Sequence, residues 1–86
     1  MRTIYKVVAP IADRIELLLP KGVRVLSVCC KLKKEISFWF FGEMEAEKVL
    51  SVFRVYATGC PNHSNFEDFI GTVQDGEFVW HVFRVP

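Results

Sequence analysis

The residues that could do chemistry are few and scattered. Cys60-Pro61-Asn62-His63 has the spacing of half a metal knuckle, and Cys29, Cys30 and His81 are the remaining soft or imidazole donors. A zinc site needs four ligands converging tetrahedrally, usually from two such knuckles. One half-knuckle and isolated singles do not build one, so no metal or cofactor is expected. Cys60 with His63 or His81 and an acid such as Asp68 could make a thiol–imidazole pair. Yet Cys60 precedes a proline in a loop, not a helix N-terminus that would stabilise a thiolate. No Gly-rich loop joins a strand to a helix, so phosphate transfer has no cradle. The expectation is a protein without a catalytic constellation.

Two other groupings remain. His81 lies in an apolar stretch, and Arg54, Thr58 and Thr72 lie in stretches expected to neighbour it. These four polar residues could line a small pocket, with a hydrogen-bonded, half-buried histidine as the plainer reading. The second grouping is Lys31, Lys33 and Lys34 beside Phe38-Trp39-Phe40-Phe41. Cations interleaved with aromatics can hold single-stranded nucleic acid. A lysine-rich tip also keeps a sheet edge soluble. In a strand, Phe38 and Phe40 point one way, and Trp39 and Phe41 the other. Such a strand either runs through the centre of a two-layer core or presents an interface to a second copy or a target protein.

The elements that must carry these residues have a period of two. Strands are predicted over Thr3 to Val8, Arg14 to Leu19, Val23 to Cys30 (apolar on much of both faces, hence central), Ile36 to Phe41, and Leu50 to Thr58. Pro20-Lys21-Gly22 reads as a turn, since proline presets one φ and glycine permits a positive one. Lys31 to Lys34 reads as a hairpin tip. Glu43 to Leu50 has the composition for a helical turn or two, or for a polar loop. Ser64-Asn65-Phe66-Glu67 has capping-box spacing. Phe69 to Gln74 and Glu77 to Val85 flank Asp75-Gly76, the favoured type I′ loop. That register places Trp80 over Gly71, and Phe69 on the face of Val73, Phe78, Trp80 and Val82. The expected architecture is one all-β domain over residues 1–86. It is a small antiparallel barrel or sandwich of six or seven short strands, with at most one or two helical turns.

Composition sets outer limits. A chain of 86 residues buries only about 60–65% of the surface its unfolded form exposes, yet 51% of its residues are hydrophobic and 14% aromatic. Disorder is excluded, and no apolar run approaches a membrane span. The apolar surplus must enter a dense core, a homo-oligomer interface or a partner interface. Residues 1–34 hold eight cations against two carboxylates, and residues 35–86 hold three against eight. Either the halves interleave and neutralise each other, or the fold has opposed charged faces. Three cysteines, two of them adjacent, do not make a disulfide scaffold. The opening Met1 to Lys6 lacks the apolar core of a secretion signal, which points to a reducing cytoplasm.

Leu19-Pro20-Lys21-Gly22-Val23-Arg24-Val25-Leu26-Ser27-Val28, Tyr56-Ala57-Thr58-Gly59-Cys60-Pro61 and the closing Gly71-Thr72-Val73 … Val79-Trp80-His81-Val82-Phe83 resemble a family of short bacteriophage and prophage proteins. The resemblance spans nearly the whole chain. The chain departs from the family at Cys60, where histidine is common, and over residues 31–49, which are more apolar here. The resemblance implies a viral origin and a host-cytoplasmic setting, and it carries no activity. It leads to the expectation of a non-enzymatic protein that occupies or sequesters a host protein or small-molecule signal, as inhibitors of bacterial defence do. The rival expectations are a single-stranded nucleic-acid-binding accessory protein and a small virion or assembly component.

Overall fold

The computed structural model describes residues 1–61 and 68–86. Seven strands run in chain order: β1 (Arg2–Pro10), β2 (Arg14–Pro20), β3 (Arg24–Cys29), β4 (Glu35–Glu43), β5 (Lys48–Ala57), β6 (Asp68–Asp75) and β7 (Phe78–Val85). They form two antiparallel sheets, β1-β4-β3 and β2-β5-β7-β6. The sheets stay open and pack face to face as a sandwich, so of the two expected architectures the barrel is not the one adopted. No helix occurs among the described residues.

Alternation determines what each strand buries. Ile36, Phe38 and Phe40 of β4 project inward and are fully buried. Tyr5 and Val7 lie beside Phe40 and Phe38 on β1. The second sheet answers with Ile15 and Leu19 of β2, Phe53 and Val55 of β5, Val73 of β6 and Val82 of β7. The Phe38 and Phe53 rings meet across the layers with centroids 4.8 Å apart. Pro20-Lys21-Gly22 forms the expected turn, with φ +81° at Gly22 and the Val23 N–H donating to the Pro20 carbonyl at 3.3 Å.

Several expectations are corrected. β3 is an edge strand, not a central one, because it pairs with β4 alone. A bulge between Val25 and Ser27 turns Leu26 outward, where it is 45% exposed. Val25 and Val28 of β3 pack inward, toward β6 of the opposite sheet. A Cβ on Gly71 would come within 2.9 Å of the Val28 side chain. Gly71 therefore makes room for β3, and Trp80 lies opposite Val73. Over Glu43 to Leu50 the loop alternative is the one adopted: the chain makes one turn, closed by the Ala46 N–H on the Glu43 carbonyl, and crosses to the second sheet. So short a crossing cannot repay helix nucleation. The Ser64 to Glu67 capping box lies outside the described residues.

The last hairpin forms, but its register moves by one pair. Asp75 lies opposite Phe78, so the loop is Gly76-Glu77. Only Gly76 has a positive φ, +60°, which is the glycine-first pattern of a type II′ loop, not type I′. The cause lies in another hairpin. The Asp75 carboxylate accepts the Lys34 N–H at 3.1 Å. That bond holds Asp75 at the strand end. A bulge between Phe69 and Gly71 then moves Phe69 to the outer face, beside Phe83.

Candidate functional site

Three strands of the second sheet assemble a polar cluster on its outer face. His81 of β7 lies opposite Tyr56 of β5 on one side and Thr72 of β6 on the other. Its Nε2 is 2.8 Å from the Thr58 hydroxyl and its Nδ1 is 3.0 Å from the Thr72 hydroxyl. A neutral imidazole donates from one nitrogen and accepts at the other, and a hydroxyl can do either. Both ring nitrogens are thus engaged, and the ring is held as a rigid strut across three strands. Arg54 completes the group. It is two residues before Tyr56 on β5, with its guanidinium carbon 5.8 Å from the tyrosine ring centroid. Its Nε is buried and has no hydrogen-bond partner. The four residues singled out in the sequence as a polar pocket share one face. The cluster is bordered by aromatic rings: Phe83 is 5.5 Å from Tyr56 and 5.4 Å from Phe69, which is 59% exposed.

The cysteines do not join this group. Cys60 is exposed in the loop after β5, and His63 lies outside the described residues. His81 spends its nitrogens on threonines. Among the described residues, no three His, Cys, Asp or Glu side chains stand together as metal ligands would. Cys29 faces out of the first sheet, opposite Ser37, while Cys30 packs against the core. The Cys30 thiol donates to the Leu32 carbonyl at 3.3 Å. Burial pushes its pKa up, and the Asp75 charge adds to the rise. Thiolate is the reactive form. At mildly alkaline pH, a disulfide reagent should therefore label Cys60 well before Cys30. Peptide mapping over time checks the order, and equal labelling would show that the β3–β4 hairpin opens readily.

Two clefts share the walls Val55 and Trp80. One, of about 280 Å³, runs between Ile11, Lys34, Asp75 and Phe78. The other, of about 230 Å³, runs between Asp13, Arg54, Tyr56 and Cys60. The Trp80 indole N–H is buried without a partner.

The first sheet presents a different surface. Of the segment expected as an interface, Phe38 and Phe40 are 0% exposed and belong to the core, so they cannot meet a partner in the folded protein. Trp39 and Phe41 project from the opposite side of β4. Lys6 lies opposite Trp39 on β1, with its ammonium 5.6 Å from the indole centroid. Lys31, from the β3–β4 hairpin, approaches the same ring at 5.8 Å. Lys33 and Lys34 stand at the hairpin tip, where Lys34 has φ +64° and is tied to Asp75 through its backbone. At the far end, Arg2, Lys21 and Arg24 line a cleft of about 390 Å³ with Phe41, Gly42 and Glu43. The terminal ammonium of Met1 bonds the Glu43 carboxylate and holds its pKa below the usual range. Sequence reasoning missed Arg2 and Lys6 as members of this surface. Only the pairing of β1 with β4 brings them to the aromatics.

No curated protein and no solved structure matches the chain. The family model described as "Domain of unknown function (DUF7352)" matches residues 1–86, and the chain belongs to that family.

Proposed function

We propose that this is a non-enzymatic, phage-encoded binding protein that acts in the cytoplasm of the infected bacterium by occupying a host factor, in the manner of an inhibitor of defence. The observation that supports the reading most is the outer face of the first sheet. Trp39 and Phe41 stand on the solvent side of β4 although the core is filled without them. Both rings are half-buried, and aromatics flanked by cations on an outer face suit a binding surface, where aromatic and arginine side chains dominate binding energies. The His81 cluster supports a binding role over a catalytic one, since its imidazole is fully engaged. The resemblance to short phage proteins supplies the setting. A second copy of the chain is a further occupant in this reading.

The test is capture from infected cells, using the intact protein and a Trp39→Ala, Phe41→Ser variant as paired baits. A host component should be enriched by the first and reduced at least tenfold with the second, as quantified by mass spectrometry of protein, nucleic-acid and small-molecule fractions. Identical captures with the two baits would end the proposal for this face.

A further inference from the structure

We infer that the outer face of the first sheet takes single-stranded nucleic acid, with bases stacked on Trp39 and Phe41 and phosphates held by Arg2, Lys6, Arg24 and Lys31. This rests on the preceding reading of that face as the binding surface and specifies the chemistry of its occupant.

The argument starts with charge. The first sheet and its β3–β4 hairpin carry six cations, Arg2, Lys6, Arg24, Lys31, Lys33 and Lys34, against two carboxylates, Glu35 and Glu43. One of those carboxylates is already paired with the terminal ammonium. The cations are also placed on both sides of the aromatic row. Arg2 and Lys6 come from β1, while Arg24 begins β3 and Lys31 follows it. β4 runs between these two strands. The outer face of the second sheet also has aromatics, but there Arg54 lies over Tyr56 beside the His81 cluster and Arg14 is paired with Glu16 at 3.0 Å, so among the described residues it has no comparable double row of cations. A polyanion with stackable groups complements the first face better than a protein surface does, because it supplies a charge for every cation and a π-face for every ring.

Geometry selects the single-stranded form. Trp39 and Phe41 are two residues apart on one strand, so they stand about 6.8 Å apart. Stacked bases rise about 3.4 Å. Adjacent bases can use both rings only when the strand is opened out of its own stack, which a duplex resists. The lysines now lying against Trp39 do not block this. An exposed cation–π contact is weaker than base stacking. A base can displace the ammonium, which then meets the neighbouring phosphate. At the other end, the Arg2, Lys21 and Arg24 cleft beside Phe41 continues the cationic track.

The probe is a fluorescein-labelled oligothymidylate, about 12 nucleotides long to match the span of one small β domain, followed by fluorescence anisotropy. An oligouridylate and a duplex of equal length are run beside it. Binding is expected to favour single strands over duplex. With about four phosphates neutralised, affinity should fall about 50-fold between 50 and 200 mM salt. Trp39→Ala should weaken binding roughly tenfold or more, with Trp39→Tyr restoring part of it. Lys6→Glu with Lys31→Glu should abolish it. Lys48→Glu, on the second sheet, should leave it unchanged. Circular dichroism of each variant separates lost binding from lost fold. The inference is overturned by no anisotropy change at low salt, by affinity that survives Trp39→Ala, or by preference for duplex. If the oligonucleotides fail while a host protein is still captured through Trp39, this ligand is wrong and the earlier reading stands. Failure of both experiments removes both.

Discussion

Phe38→Ala is expected to destabilise the protein by about 3–5 kcal/mol, the usual cost of truncating a fully buried phenylalanine. Phe38 is 0% exposed on the central strand of its sheet, stacked 5.9 Å from Phe40 and tilted 4.8 Å from Phe53 of the opposite sheet. Its removal leaves a cavity between rings that cannot close without shifting both layers. Small domains have total stabilities of about 5–15 kcal/mol, so this variant stands near the folding threshold. The next residue should behave in the opposite way. Trp39→Ala removes a partly exposed side chain and two exposed cation–π contacts, worth about 0.5–1 kcal/mol each. It should unfold within about 2 kcal/mol of the wild type. Urea denaturation of the two variants checks the contrast. Equal losses would mean that the sheet does not present its faces as described.

Arg84→Ala is the second large loss, expected at about 2–3 kcal/mol because a charge-assisted hydrogen bond and a packed stem disappear together. Arg84 lies on β7 opposite Phe53, with its guanidinium carbon 5.8 Å from that ring. It donates from Nη1 to the Val23 carbonyl at 3.2 Å. Val23 is buried, beside Gly42 of the first sheet. One side chain thus closes the end of the core and ties the two sheets together. Arg84→Met keeps the stem over Phe53 and loses the bond, so it should recover about half of the deficit. The comparison is made on urea midpoints at constant m-value. Full recovery by methionine would assign the whole effect to packing and none to the Val23 carbonyl.

Much of this was legible in the chain, and particular residues show where legibility stopped. Ile15, Leu17 and Leu19 alternate with Arg14, Glu16 and Leu18, and the structure buries or half-buries the first set. Arg54, Thr58, Thr72 and His81 belong to strand-forming stretches that the sequence makes neighbours, and they share a face. The β6–β7 hairpin was legible as a hairpin but not in its register. Asp75 is held by the Lys34 N–H, from a loop about forty residues earlier, and a bond of that separation leaves no local trace. Apolar residues on both faces of Val23 to Cys30 point to a central strand, yet β3 pairs with β4 alone. Only one face packs inward, against β6 of the opposite sheet, while a bulge turns Leu26 outward, and no periodicity in the segment itself could indicate either.

The same division holds for the aromatic segment. Composition and order alone require that Phe38 and Phe40 face one way and Trp39 and Phe41 the other, because side chains alternate along any extended strand. They also make the chain all-β, with an apolar surplus and a basic first half. Which pair is core and which lies on the outer face, and that β1 and β3 stand on either side of β4, follow from the packing of the two sheets. Strand order is a non-local choice, set by which faces can be buried together across the sandwich. In this chain it takes two strands from the basic half and sets them on both sides of Trp39 and Phe41, making a run of charges along the sequence into a cationic frame around two aromatic rings.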